Sequence, residues 1–340
     1  NGATLTIGAT NITFNGTGVA TGNPQAYISA AGTGQLSFNA DRTFNIGDST
    51  FVAADQAELV VSAPISSTGA FGPVKSGFGN LLLTGTNTYT GNTTLTAGGL
   101  FLDYATLNTS KLNAAGALAL NGGGNLILSG NASADTSQVV ASTTLASGGF
   151  STIRLTPGGT QKILLSLGAF TRATSAGTVR FNLPTGTQDA TNGIRTTSAN
   201  VNGILGGWAV TGTLGGGTHH FASYSPEFGV GAMSTPGFPT YSNATTDAAT
   251  MLAATSTSNI SLGSDTSFTH PVADDLTINS LRFANQASQT LAIAAGKTLT
   301  LGTGGLLFWS TAQQFIGTVA GQGSLTSGGS ELFAYAQGGG

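Results

Sequence analysis

The side chains in this sequence that could do chemistry are few and far apart. His219 and His220 are adjacent, and Glu227 follows in the same segment. A metal site needs a third or fourth ligand and surrounding groups that orient the ligands. Adjacent residues on a strand point to opposite faces, so both histidines reach one ion only from a loop. We interpret the pair as part of a solvated loop, and we expect no metal site and no cofactor.

An acidic cluster is the second candidate. Asp274 and Asp275 are adjacent, Asp265 lies nearby, and Arg282 is the nearest basic residue. Such carboxylates could bind calcium or act as an acid and base pair, as in polysaccharide lyases and glycosidases. However, only thirteen acidic and ten basic residues are spread over the 340 positions. We expect no catalytic residue and no enzyme activity, and we keep a polysaccharide lyase as the least favoured alternative.

Aromatic residues supply the third candidate. A platform for a sugar or a partner could be built from Trp208, Phe221 and Tyr224, with Phe228, Tyr241 and Trp309. Aromatic side chains also fill cores where elements meet. We therefore keep two readings, core packing and partner contact at Trp208, Phe221 and Tyr224. The second would make the 200–245 segment an adhesin or glycan-binding module.

Composition argues against several classes of function. Only 7% of the residues are charged and the net charge is −3, whereas charged residues make up roughly 25% of ordinary soluble domains. No basic stripe is present to bind nucleic acid, and no polybasic cluster is present to hold a membrane surface. No apolar run reaches the length of about 18 residues that predicts a membrane-spanning helix. Cysteine is absent, so disulfides and thiolate chemistry are excluded.

Short alternating apolar runs, bounded by Gly, Asn, Asp or Pro, predict an all-β protein. Helix signals are nearly absent, and a stretch such as residues 247–254 could form one or two helical turns. The pattern of residues 79–85 returns at 124–130 and more loosely at 297–302. Units recurring every 20 to 25 residues or so indicate a solenoid, in which stacked coils share one core. At about 22 residues per coil the chain would form roughly 15 coils.

The alternative fold is a pair of tandem β-sandwiches, whose hairpins would use Asn-Gly turns. Such steps begin at Asn15, Asn121, Asn192 and Asn202. In the solenoid reading, residues 1–188 form the β-solenoid. Residues 189–270 form an irregular, loop-rich insertion or subdomain, because they hold most of the prolines and little alternation. Residues 271–340 continue the solenoid.

The most specific pattern lies at residues 75–102. It combines a lysine opening, a leucine strand ending in glycine, an Asn-Thr-Tyr turn, a threonine-rich strand and a glycine corner. Its residues are Lys75, Ser76, Gly77, Gly79, Leu81, Leu83, Gly85, Asn87, Thr88, Tyr89, Gly91, Thr93, Thr94, Ala97, Gly98 and Leu100. This pattern resembles the autotransporter-associated β-strand repeat of large bacterial surface proteins. The resemblance implies a right-handed parallel β-helix that is secreted or exposed at the cell surface, and it assigns no catalytic residue.

The turn of this motif is expected to be structural. Its defining residues are Gly85, Asn87, Tyr89, Gly91 and Gly98. Asparagine tolerates left-handed backbone geometry and forms local hydrogen bonds. In stacked coils its amide can also pair with the next coil, as in an asparagine ladder. A sugar contact at Tyr89 is the lesser alternative.

These observations predict a structural protein, a rod or filament segment of the bacterial cell surface or extracellular space. Its expected partners are further repeats of the same polypeptide or copies of itself stacked end to end, with surface glycans as a second possibility. The chain begins at Asn1 rather than Met. We therefore expect it to be processed or to be a piece of a longer polypeptide.

Overall fold

The computed structural model describes residues 4–7, 11–15, 25–50, 52–53, 56–212, 219–244, 249–263, 266–284, 287–310, 312–317 and 323–337. The chain divides into two compact units. The first comprises Asn1–Ser198 with Glu227–Val230, and the second comprises Ala199–Pro226 with Gly231–Gly340.

The strands of residues 1–198 are short, and most have three to five residues. In chain order they are β1 (Thr4–Ile7), β2 (Ile12–Phe14), β3 (Ala26–Ile28), β4 (Gln35–Phe38), β5 (Arg42–Ile46), β6 (Leu59–Val61), β7 (Ile65–Ser67), β8 (Pro73–Ser76), β9 (Asn80–Leu83), β10 (Thr93–Leu95), β11 (Gly99–Asp103), β12 (Ala117–Asn121), β13 (Asn125–Ser129), β14 (Thr136–Val139), β15 (Ser142–Ser147), β16 (Phe150–Thr156), β17 (Ile163–Ser166), β18 (Ala169–Arg172), β19 (Thr178–Asn182) and β20 (Gly193–Arg195).

These strands form the three faces of a coil. Face A contains β1, β4 and β7 and, further along, β14, β17 and β20. Face B contains β2, β5, β8, β10, β12, β15 and β18, and face C contains β3, β6, β9, β11, β13, β16 and β19. Each strand pairs in parallel with its counterpart one coil later. The predicted parallel β-solenoid is confirmed, and the alternative of antiparallel sandwiches is wrong.

Alternation along each strand builds the core. On β9, Leu81 and Leu83 are fully buried while Leu82 between them is half-buried on the outer side. The register then stacks Leu81 on Leu100 and Leu100 on Leu126. Because the side-chain period of a strand is two, each coil repeats the same inward position. One continuous apolar column follows.

Coil length differs from the expectation. Leu81 and Leu100 are 19 residues apart, whereas Leu100 and Leu126 are 26 apart and Leu126 and Ile153 are 27 apart. The stacked strands accordingly form about 11 turns rather than 15. The coil of the repeat motif is short because residues 84–92 contain no face A strand. The length of the motif coil is therefore a poor guide to the average number of residues per coil.

The remaining elements follow in chain order. They are β21 (Ala209–Thr211), β22 (His220–Ser225), β23 (Gly229–Ala232), β24 (Ser242–Ala244), α1 (Ala249–Leu252), β25 (Asn259–Leu262), β26 (Phe268–Val272), β27 (Leu276–Ala284), β28 (Gln289–Ile293), β29 (Thr298–Trp309), β30 (Phe315–Ile316), β31 (Ser324–Thr326) and β32 (Phe333–Gln337). The helix lies within the stretch predicted from the sequence, of which residues 247–248 fall outside the described part. The described part of the chain contains no candidate for a membrane-spanning helix, since α1 has only four residues.

The second unit is also built from parallel coils. One sheet has the order β24, β25, β27 and β29, with β31 and β32 both pairing with β29, and a second sheet has the order β26, β28 and β30. Their shared core includes Leu281, Leu291 and Leu306. Parallel pairing is therefore present from β24 and β25 onward, before the predicted restart at residue 271.

An outer lobe packs on this solenoid within the second unit. We use this name for residues 199–212, 219–226 and 231–241. It contains the antiparallel pair β21 and β22. Its core includes Val210, Phe221 and Met233, and these residues pack against Leu307 of β29. Leu306 points into the solenoid core and Leu307 into the lobe, so one strand serves both cores. The outer lobe lies within residues 189–270, the range predicted to be irregular, but β25 and β26 in the same range are parallel strands of the solenoid sheets.

Candidate functional site

Asn87 joins three coils at the turn of the repeat motif. Its Oδ1 accepts a hydrogen bond from the Ile65 amide at 2.9 Å, and its Nδ2 donates to the Lys111 carbonyl at 2.9 Å. The Thr88 and Tyr89 amides donate to the Ile65 carbonyl at 2.7 and 3.1 Å. No face A strand lies between β7 and β14. The asparagine amide therefore supplies cross-coil hydrogen bonds that a strand would otherwise make.

The motif glycines allow close contact between coils. A Cβ on Gly91 would lie 2.2 Å from the Phe71 carbonyl carbon. Gly98 has φ +66°, and a Cβ there would lie 2.3 Å from the Gly79 oxygen. Gly85 is less constrained, with a contact of 2.8 Å to the Ala63 oxygen. At Gly91 and Gly98 any side chain would push adjacent coils apart.

Lys75, the opening residue of the motif, is buried. Its Nζ donates hydrogen bonds to the carbonyls of Ser76, Gly77 and Ala97 at 2.8, 2.8 and 3.1 Å. Burial lowers the pKa of Lys75 to about 8, and the negative charge of Glu58 opposes this shift. The ammonium group thus satisfies the turn carbonyls of two successive coils.

Lys111 also bonds the carbonyls of two successive coils, at the different corner that follows face C. Its buried Nζ donates to the carbonyls of Thr84, Leu107 and Gly85 at 2.7, 2.8 and 3.2 Å. The nitrogen also lies 5.3 Å from the ring centroid of Tyr104, a favourable cation–π geometry. Burial lowers the pKa of Lys111 to about 8, against the opposing charge of a nearby aspartate.

Gln138 adds further buried hydrogen bonds next to Lys111. We call the linked residues Asn87, Tyr104, Lys111 and Gln138 the internal polar column. Its Oε1 accepts hydrogen bonds from the Tyr104 hydroxyl at 2.8 Å and from the Lys111 and Leu112 amides at 2.8 and 3.1 Å. Its Nε2 donates to the Leu112 and Val139 carbonyls at 3.2 and 2.7 Å. Burial raises the pKa of Tyr104 far above its ordinary value. Every polar atom of the glutamine is thus paired inside the coil stack.

Tyr89 is part of the same interior. Its hydroxyl lies 2.6 Å from the Thr93 Oγ1, and burial raises the pKa of Tyr89 to about 12. With 2% of its surface exposed, it has no accessible ring face for a sugar. The minor alternative of a sugar contact at Tyr89 is therefore corrected. The motif residues form internal links between coils.

The two histidines are not in a solvated loop, so that interpretation is wrong. His219 is buried, and His220 begins β22 with its ring stacked on Tyr241 at a centroid distance of 5.8 Å. Burial lowers the pKa of His220 to about 4, and the charges of Arg282 and His219 add to this shift. The described residues contain no group of three potential ligands that could hold a metal ion.

Arg282 on β27 forms hydrogen bonds with both the outer lobe and the solenoid. Its Nε donates to the His219 carbonyl at 2.9 Å and its Nη1 to the Ser261 hydroxyl at 3.2 Å. The guanidinium carbon lies 5.4 Å from the Tyr241 ring and 5.5 Å from the Trp309 ring. Two of the predicted platform aromatics therefore enclose a buried arginine.

The predicted partner contacts at Trp208, Phe221 and Tyr224 do not form one exposed platform. Phe221 is completely buried in the lobe core, so its assignment as a partner contact is corrected. Trp208 and Tyr224 are half-buried, and the Tyr224 amide is held by the Asn200 Oδ1 at 2.9 Å. Packing of the lobe accounts for most of these aromatic residues.

The acidic candidates also have local structural partners. Asp274 forms an ion pair with Lys297 at 3.0 Å, and the Asp275 Oδ1 accepts a hydrogen bond from the Thr298 amide at 2.7 Å. Both carboxylates are exposed on the surface, and Asp265 lies outside the described residues. These two contacts connect the start of β27 with the start of β29 one coil later.

No family model, no curated protein and no solved structure matches this chain. The fold and the internal polar column define it as a parallel β-solenoid with an attached lobe. The likeness to the autotransporter-associated repeat rests on the motif residues alone.

Proposed function

We propose that the protein is a structural segment of the bacterial cell surface or extracellular space. Its outermost coils are covered by further coils of the same polypeptide or by a second copy of this chain. The proposal includes no enzyme activity. It is supported by the coil architecture, by the burial of the motif's ionisable groups, and by one observation at the outermost coils.

That observation is an exposed core position. Leu5 on β1 is in register with Leu36 on β4, which is in register with Ile65 on β7. Their exposed fractions are 58%, 1% and 0%. β1 is the terminal strand of its sheet, so Leu5 occupies a core position that one more coil would bury. Burial of such a side chain contributes about 1.5–3 kcal/mol, and the unpaired strand edge favours pairing with another chain.

The second unit shows the same feature. Ile316 on β30 is in register with Leu291 on β28. Leu291 is fully buried, whereas Ile316 is 36% exposed on the terminal strand of its sheet. Phe315 beside it is also exposed. Apolar residues exposed on a terminal strand favour contact with another coil, because that contact removes apolar surface from water.

The test is self-association of the purified chain, measured by sedimentation over a range of concentrations and by negative-stain microscopy. We expect concentration-dependent assemblies, and we expect Leu5→Lys to weaken them because it places a charge at the open end. The matched control is Thr144→Lys on the outer side of face B, which adds the same charge away from the ends. A sharp monomer at all concentrations, or equal loss of assembly in the control, would contradict the proposal.

The structure gives less support to the adhesin alternative, because Phe221 and Tyr241 belong to the lobe core and Trp309 packs on Arg282. A glycan array with the whole chain tests this alternative directly. The lyase alternative is tested by the calcium-dependent rise in absorbance that unsaturated sugar products would cause, and we expect none.

A further inference from the structure

Two arginines lie on the outer side of face C in the first unit. Arg154 on β16 stands between Ile153 and Leu155, both of which are buried in the core. Arg180 on β19 likewise stands between two core residues. Because side chains alternate along a strand, both arginines point away from the core. Both remain partly accessible to solvent.

The register places these arginines on adjacent coils. Arg154 is opposite Asn182, and Arg180 is opposite Thr152. Neighbouring strands are about 4.8 Å apart, and the arginines are offset by two residues along them. The two positive charges therefore lie on neighbouring strands of the same outer face.

Several polar atoms of this cluster have no protein partner. The Nε atoms of Arg154 and Arg180 and the Oδ1 of Asn182 are buried without a hydrogen-bond partner. The contact from the Arg180 Nη2 to the Thr152 hydroxyl is long, at 3.4 Å. A buried donor or acceptor that has no partner costs free energy. A ligand that supplied acceptors and donors here would offset that cost.

Within the described part of the chain, neither Arg154 nor Arg180 forms an ion pair with a carboxylate, and the ion pairs Lys162–Asp189 and Lys297–Asp274 lie elsewhere. The Arg180 guanidinium instead lies 5.3 Å from the ring of Phe150, whose exposed fraction is 43%. The cluster thus combines two cations, an amide, a hydroxyl and an accessible aromatic ring.

We propose that this outer surface binds an acidic saccharide through its carboxylate or sulfate group. Guanidinium groups recognise such oxyanions with paired, charge-assisted hydrogen bonds. The exposed Phe150 ring can pack on the apolar face of a sugar ring, whereas Asn182 and Thr152 are buried beside the arginines. The site lies on one side of the coil stack, so it is independent of the self-association proposed above.

The experiment is titration calorimetry of the whole chain with three probes at low salt. They are an oligogalacturonate, a sulfated oligosaccharide, and the methyl ester of the same oligogalacturonate. The two anionic probes distinguish a carboxylate from a sulfate ligand, and binding of either supports the proposal. The uncharged ester is expected to bind at least tenfold more weakly than its parent. No binding of either anionic probe, or equal binding of the ester, would overturn the proposal.

Variants locate the site. We expect Arg154→Gln and Arg180→Gln each to weaken binding of the anionic probe about tenfold. Lys162→Gln is the matched control, because it removes one positive charge at a different place on the first unit, and it is expected to retain the affinity. Thermal unfolding by circular dichroism confirms that each variant is folded. If the control loses as much affinity as the arginine variants, the attraction is general and the proposed site is wrong.

Discussion

At the scale of single residues, the coil stack depends on buried polar side chains that connect successive coils. Asn87, Lys75, Lys111 and Gln138 each bond the backbone of other coils. They satisfy groups that would otherwise be buried and unpaired, which is costly in a dry interior. The repeat motif is therefore a set of side-chain links as much as a strand pattern.

Replacing Asn87 by Ala is expected to destabilise the chain. The Ile65 amide and the Lys111 carbonyl would both lose their partner, at a cost of about 2–4 kcal/mol in the free energy of unfolding. Urea unfolding followed by circular dichroism measures the loss. Asn125→Ala, at an exposed position on β13, is the matched control and is expected to change stability by less than about 0.5 kcal/mol. Equal effects of the two variants would show that the Asn87 bonds contribute nothing.

The buried lysines predict an unusual pH dependence. In the folded state the pKa of Lys75 and of Lys111 is about 8, below the ordinary 10.5. Between these values the unfolded chain binds more protons, so the free energy of unfolding rises with pH, by at most about 1.4 kcal/mol per pH unit for each lysine. Above pH 10 the free energy of unfolding is expected to fall with pH, because the pKa of Tyr89 is raised to about 12 in the folded state. Only the unfolded chain then releases this proton.

Urea unfolding between pH 7 and pH 11 tests this dependence, and stability is expected to be highest near pH 10. The double variant Lys75→Met, Lys111→Met should be less stable overall and should lack the rise between pH 8 and pH 10. A flat profile in the unmodified chain would contradict the assignment of the lysines as the titrating groups.

At the scale of elements, the outer lobe is held on the solenoid by shared packing on Leu307 and by Arg282. Arg282→Met is expected to loosen the lobe and leave the coils folded, because the lobe core lies on the opposite side of β29 from the solenoid core. Hydrogen exchange read by mass spectrometry should accelerate in the outer lobe and stay unchanged in β26 and β28, which do not contact Arg282. Arg282→Lys, which keeps the charge and loses the planar stacking, should give an intermediate effect. Unchanged exchange in the lobe would contradict this role.

Much of the fold could be predicted from the sequence, because alternation and glycine punctuation report directly on strands and turns. The leucines of β9 predicted a strand, and the glycines of the motif predicted the turns on either side of it. The buried lysines could not be assigned, since lysine is rarely buried and its partners are carbonyls from distant coils. Arg282, His219 and Phe221 were missed for a related reason. Their burial depends on a lobe that folds back across many residues, and local pattern does not record such contacts.

At the scale of the whole molecule, the account depends on parallel coils that are stacked in register within each unit. The open core positions at Leu5 and Ile316, the links at Asn87 and the arginine pair on face C all follow from that stacking. A slip of one residue would turn every core side chain outward. Register is therefore the property on which every proposal above depends.

Engineered disulfides measure the register most directly, because the chain has no cysteine of its own. Ala119 and Thr144 are opposite each other on β12 and β15 of face B, within the Cα separation of about 4.4–6.8 Å that a disulfide spans. The double variant Ala119→Cys, Thr144→Cys is expected to form an intramolecular disulfide on mild oxidation, as shown by mass spectrometry. The pair Ala119→Cys, Ser142→Cys, displaced by two residues along the strand, is expected to remain largely reduced. Preferential bridging of the displaced pair, or no bridging of the registered pair, would contradict the stacked parallel solenoid.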